Sequence, residues 1–65
     1  MFSYTPLFQL LIARKMTKTQ LREAIGISPN TLAKMSKDEY ISMETLDRIC
    51  EYLNCNIEDI IKHID

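Results

Sequence analysis

Apolar positions recur along this chain in a helical rhythm, interrupted at short intervals by residues that cap helices. Leu7, Phe8, Leu11 and Ile12 form one run, and Leu21, Ala24 and Ile25 a second. Leu32 and Met35 follow, then Leu46, Ile49, Cys50 and Leu53, and last Ile57, Ile60, Ile61 and Ile64. Spacings of three and four residues line such positions up on one face of a helix. Thr17, Ser28, Ser42 and Asn56 precede four of the runs, each with a side-chain oxygen suited to accept from the free N–H groups of a first helical turn. The residue before each cap is Met16, Ile27, Ile41 or Cys55, and the residue four after it is Leu21, Leu32, Leu46 or Ile60. That is the pattern of the hydrophobic staple. Thr17 with Gln20, and Asn56 with Asp59, add pairs of capping-box type. Thr5 followed by Pro6 opens the first run as cap and first-turn proline, where the missing N–H costs nothing. The pattern predicts helices at 6–15, 18–25, 29–36, 43–53 and 57–63. No segment alternates with period two, so no strand is expected and the fold class is all-α.

Gly26 is the one glycine in the chain, and it falls between the second and third predicted helices. A chain that leaves a helix and turns sharply often passes through a left-handed conformation that glycine adopts without penalty from a Cβ. Any other L-residue there costs on the order of 1–2 kcal/mol. Ile27 then staples to Leu32, and Ser28 caps the next helix. Two short helices joined by Gly26, Ile27 and Ser28 describe a helix-turn-helix, and equally a plain helical corner with no nucleic-acid role. The third helix turns Leu32 and Met35 inward and leaves Asn30, Thr31 and Lys34 on its outer face. Asn pairs bidentately with adenine, Thr offers a methyl or hydroxyl, and Lys reaches guanine acceptors or a phosphate. A solvated helix face would look much the same.

Sixty-five residues fit one small domain, with a thin core that dimerisation would supplement. No apolar run approaches the roughly 20 residues that span a bilayer, and "MFSYTPLF" lacks the features of a signal peptide, so a cytoplasmic protein is expected. Cys50, Cys55 and His63 are too few for a usual structural zinc site without an acidic fourth ligand; two reduced cysteines packed as small hydrophobes near a helix end are expected, ahead of a metal site or a disulfide. The net charge of −1 hides an asymmetry. Residues 1–37 carry Arg14, Lys15, Lys18, Arg22, Lys34 and Lys37 against Glu23 alone, a net of +5. Residues 38–65 carry Arg48 and Lys62 against eight acids, a net of −6. A split of this kind hints at a polyanion-binding face.

The segment "MTKTQLREAIGISPNTLAKMSKDEYISMETLDRICEYLNCNIEDII" resembles the Cro/phage-repressor (XRE-type) helix-turn-helix domains, in particular the short stand-alone bacterial and phage regulators. The likeness runs from about Pro6 to Ile61 and includes Leu21, Ile25, Ile27, Leu32 and Met35 around Gly26. It implies a compact five-helix, repressor-like domain over residues 1–65, whose second and third helices are the helix-turn-helix. Carried over position by position, it implies that Pro29, Asn30, Thr31 and Lys34 read base edges. Thr17 and Lys18 would hold a phosphate at the start of the second helix, and Ser36, Lys37, Tyr40 and Ser42 would touch a further stretch of backbone, with Arg14 and Lys15 flanking. Three departures stand out. Arg22 sits where the family often has alanine, Pro29 sits where a polar base reader is common, and "SKDEY" replaces the usual loop glycine after the third helix. Asp38 and Glu39 there oppose phosphate.

The leading expectation is therefore a sequence-specific double-stranded-DNA-binding regulator of transcription. It would be a promoter repressor acting as a homodimer on an inverted repeat, with Phe2, Tyr4, Tyr52, Ile61 and Ile64 as candidates for the dimer surface. The alternative is a protein-interaction module of the same fold, antitoxin-like or accessory, using its acidic half. Catalysis is not expected, because no nucleophile motif or glycine-rich phosphate loop is present. No metal, cofactor, small-molecule ligand or membrane partner is expected either.

Overall fold

The computed structural model describes every residue from Met1 to Asp65. It contains α1 (Thr5–Ala13), α2 (Lys18–Ile25), α3 (Pro29–Ser36) and α4 (Met43–Leu53). A 3₁₀ turn follows at Ile57–Asp59, and a two-stranded antiparallel ladder joins β1 (Phe2–Ser3) to β2 (Lys62–His63). The fold is thus helical, with four α-helices where five were expected and a small sheet where none was expected.

The caps act as their residue types dictate. Thr17, Ser28 and Ser42 accept through their hydroxyl oxygens from the N–H groups of Gln20, Thr31 and Thr45 at 3.0, 3.1 and 3.1 Å. Gln20 completes a capping box, its Oε1 accepting from Thr17 N–H at 2.8 Å. The first helix departs from expectation: it begins at Thr5, and Thr5 does not cap it. Buried Ser3 supplies the acceptor for the Thr5 N–H at 3.2 Å, and Asp38 Oδ1 accepts from the Tyr4 N–H at 3.1 Å.

Each α-helix ends by one device. An N–H reaches back five residues into the last turn: Met16 to Leu11 (2.9 Å), Ile27 to Arg22 (3.2 Å), Glu39 to Lys34 (2.9 Å) and Cys55 to Cys50 (3.0 Å). The residue before each donor is left-handed, with φ of 56° at Lys15, 71° at Gly26, 56° at Asp38 and 52° at Asn54. This is the Schellman ending, which satisfies carbonyls the helix leaves open. Gly26 is thus one of four equivalent positions, and it alone avoids the left-handed strain. A Cβ placed there would meet nothing within 4 Å, so the glycine relieves torsional strain and no clash.

Tyr4, Leu7, Leu11, Leu21, Ile27, Met35, Leu46, Ile49, Leu53 and Ile60 form one core. Ile12 and Ala24, expected inside, are exposed; Ile12 retains 76% of its accessible surface. A helix of nine residues has room for only a narrow inward stripe, and Leu7 and Leu11 fill it. Tyr4, a candidate for a dimer surface, belongs to the core instead.

The predicted fifth helix stops after one turn. Asp59 takes the N–H of Asn56 at 2.9 Å, so the start forms as expected, and Ile60 then drops into the core. Beyond it the chain runs back along the amino-terminal segment, pairing Phe2 with His63 and Ser3 with Lys62. Ile64 N–H donates to the Met1 carbonyl at 2.8 Å, and the Phe2 and His63 rings meet edge to face at 5.3 Å. The β-branched isoleucines that looked like a helix stripe favour extended backbone at least as well.

Replacing Lys15 by Gly removes left-handed strain, whereas replacing Gly26 by Ala introduces it. The expected outcome is a gain of about 1 kcal/mol for Lys15→Gly and a loss of about 1–2 kcal/mol for Gly26→Ala, read as opposite shifts of the urea midpoint. Equal losses in both variants would mean that the left-handed turns are not under torsional strain.

Candidate nucleic-acid interface

The turn between α2 and α3 holds only Gly26, Ile27 and Ser28. The carbonyl of Arg22 accepts from both the Gly26 and Ile27 N–H groups at 2.9 and 3.2 Å. Ile27 is buried, and Leu32, half-buried, completes the staple. With its cap and staple fixed, α3 has one way to lie. Met35 is its fully buried side chain, and Pro29, Asn30 and Lys34 are exposed. Asn30 and Lys34 stand one helical turn apart, on the same stripe. Thr31 is half-buried and its hydroxyl pairs with that of Ser28 at 3.1 Å. Of the polar face, Asn30 and Lys34 are therefore the donors without a partner inside the protein.

The start of α2 presents a second polar feature. Its capping box occupies the N–H groups of Thr17 and Gln20, while those of Lys18 and Thr19 have no helical acceptor. The Lys18 ammonium lies over the Phe8 ring, 4.0 Å from its centroid, which holds the charge at the helix start. Here a helix N-terminus, two open N–H donors and a fixed cation coincide, an arrangement suited to phosphate. Phe8 was expected only as a core residue, and nothing in the spacing of Phe8 and Lys18 flagged their contact.

The loop after α3 gathers Ser36, Lys37, Tyr40 and Ser42. Lys37 is exposed, and Tyr40 keeps 73% of its surface open. Ser36 donates to the Leu32 carbonyl at 3.3 Å, and Ser42 is engaged as the cap of α4. The acids in this loop do not both oppose an incoming phosphate. Asp38 is half-buried and turned toward the Tyr4 N–H, while Glu39 stays exposed and its backbone carbonyl accepts from the Tyr4 hydroxyl at 2.8 Å. Asp38 also takes the left-handed position at which a glycine would be free of strain.

Apart from Lys62, the unpaired cationic side chains lie in the basic half. Arg14 is committed elsewhere, its guanidinium donating to the Leu53 carbonyl at the end of α4. Arg22 keeps 27% of its side-chain surface and stands 3.9 Å from Glu23, so its stem lies along the protein while its head reaches a neighbour. Arg48 pairs with Glu44 at 2.9 Å. Lys15, Lys18, Lys34 and Lys37 form no ion pair, and their charge is available to a polyanion.

The model of the Cro/C1-type HTH DNA-binding domain matches residues 7–65. The chain belongs to this family. As a Cro/C1-type domain it is a DNA-binding regulator of transcription, with α2 and α3 as its helix-turn-helix. It is 38% identical over 56 residues to the uncharacterized HTH-type transcriptional regulator YozG of Bacillus subtilis (strain 168), a match spanning 83% of this chain and 67% of that one. The crystal structure of the transcriptional regulator VanUg superposes with a TM-score of 0.95 at 51% identity, over 97% of this chain and 84% of that one. No helix of this Cro/C1-type domain is long and apolar enough to cross a membrane.

Tyr4 ties the loop that carries Tyr40 and Ser42 to the core of the Cro/C1-type domain. Burial raises the phenol pKa above its ordinary value, with a partial offset from the Ile41 backbone and a further rise from Asp38. The neutral phenol is thus the form that the fold favours. Its contribution is complete below the unfolded pKa near 10 and is lost as pH climbs through the higher folded value. Tyr4→Phe, which removes the hydrogen bond to Glu39, is expected to cost about 1 kcal/mol at pH 7. It should also flatten the fall in stability above about pH 10. Both effects are read from urea unfolding across pH, and an unchanged alkaline limb would assign it to another group.

Proposed function

We propose that this domain, residues 1–65 acting as one unit, represses transcription by binding a promoter operator in a sequence-specific way. The observation that carries the reading is the exposed, unpartnered pair Asn30 and Lys34 on the second helix of a helix-turn-helix. In this reading α3 enters the major groove amino-end first, as such recognition helices do. Asn30 and Lys34 contact base edges, Thr31 contributes its methyl, and Pro29 offers an apolar surface to a thymine methyl. Thr17 and Lys18, with the open N–H groups beside them, hold one phosphate. Ser36, Lys37, Tyr40 and Ser42 hold a second stretch of backbone and set the register. The activity is binding, without catalysis, and its compartment is the cytoplasm.

One short recognition helix reads few base pairs, so we take the working form on DNA to be a homodimer on an inverted repeat, with half-sites about one helical turn apart. Supporting this, exposed Phe2 and Met43 border an apolar cleft with Ile41, Leu46 and Ile61.

Selection of bound duplexes from a random pool at two salt concentrations tests the reading, with an enriched inverted repeat expected. Asn30→Ala should cost roughly 1–3 kcal/mol on the selected site and relax its specificity. Lys18→Ala should weaken all sequences alike and lower the salt slope by about 1. No enrichment at either salt would favour a protein-interaction role for the same fold.

A further inference from the structure

The Schellman ending brings the side chains three residues before and two residues after the helix boundary into contact, usually as an apolar pair. At the end of α4 those two positions are Cys50 and Cys55. The Cys55 N–H donates to the Cys50 carbonyl at 3.0 Å, and the Asn54 N–H donates to Glu51 at 3.3 Å, closing the turn. Asn54 is left-handed at φ 52° between them. Both cysteines are free and half-buried, and each thiol feels the other directly. They are the chain's entire complement of cysteine, and the DNA-binding reading uses neither.

We propose that Cys50 and Cys55 are a modification site, a dithiol that closes reversibly to a disulfide across the end of α4. The oxidant is a low-molecular-weight disulfide of the glutathione class. Cys55 attacks first: it borders an open polar groove with Arg14, Asn54 and Asn56, and Cys50 does not line that groove. The Cys55 thiolate forms a bond to one sulfur of the small disulfide, whose S–S bond breaks and releases one small thiolate. The Cys50 thiolate then attacks Cys55 Sγ, forms the internal S–S bond and releases the second small thiolate. The two thiol protons end on the released thiolates, and two electrons pass from the protein to the small disulfide. The backbone bond from Cys55 to Cys50 already places the two residues at the positions whose side chains a Schellman ending brings together, so the second step needs no unfolding.

Burial is the main cause that pushes both thiols above their ordinary range. For Cys55 the nearby Asp59 adds to that rise, and the Cys50 thiol and the Arg14 guanidinium offset it only in part. A dithiol whose thiolates gain little from their surroundings is a poor leaving pair, so the disulfide, once closed, resists reduction more than a strained or thiolate-stabilised one.

The test equilibrates the full chain with reduced and oxidised glutathione over a range of ratios, quenches with acid and alkylator, and reads intact mass. Wild type is expected to lose two hydrogens and both alkylatable thiols as a monomer, and to regain them with a phosphine reductant, while its helical circular dichroism is kept. Cys50→Ser should halt as a glutathione adduct on Cys55 that does not resolve. Wild type that stays reduced, that halts at glutathione adducts, that oxidises only as a covalent dimer, or that loses helix on oxidation overturns the proposal. The wild-type measurement decides even if the variant fails to fold.

Discussion

Four short helices packed on one small core must each stop within a residue or two of a fixed place, or their neighbours cannot begin. The constraint is met by one backbone arrangement used four times, an N–H reaching back five residues across a left-handed residue. The apolar residue just after the left-handed one is then returned toward the core, as Met16, Ile27 and Cys55 show. A serine or threonine cap restarts the chain at Thr17, Ser28 and Ser42. Between α2 and α3 the stop, the staple and the cap occupy three consecutive residues. That brevity fixes how α3 is presented, and the exposure of Asn30 and Lys34 follows from it.

The same economy explains the loop after α3. Asp38 is at once the left-handed residue of the stop and the acceptor for the Tyr4 N–H. The Tyr4 hydroxyl closes a second link to Glu39. The amino-terminal segment is thereby tied to the loop that follows α3, and the β1–β2 ladder ties it to the carboxyl-terminal one. An acid that the charge pattern sets against DNA is spent on holding the surface in place.

Much of this was legible in the sequence, and the reasons for success and failure are physical. The caps were readable because serine and threonine ahead of an apolar run have a local task that depends on few other residues. Three helix starts, at Lys18, Pro29 and Met43, follow from them. The endings were only partly readable: glycine announces a left-handed turn, whereas Lys15, Asp38 and Asn54 adopt one because the surrounding bonds require it. Ile57, Ile60, Ile61 and Ile64 keep helical spacing, yet two-residue strands leave no period to detect, and the pairing of Phe2 with His63 is a contact between distant parts of the chain. For the candidate site, the exposure of Asn30 and Lys34 could be read from periodicity. The bond from Thr31 to Ser28, the contact of Lys18 with Phe8 and the engagement of Arg14 at Leu53 depend on tertiary placement.

The central claim is that the amino-terminal half of α3, flanked by the start of α2 and the loop after α3, is the surface that meets DNA. Amide chemical-shift mapping during titration with a selected operator duplex tests it most directly. The account predicts the largest shifts at Lys18 and Thr19, from Asn30 to Lys34, and from Lys37 to Ser42, with the outer face of α4 around Glu44, Glu51 and Tyr52 unmoved. Shifts concentrated on that α4 face, with α3 unchanged, would contradict it.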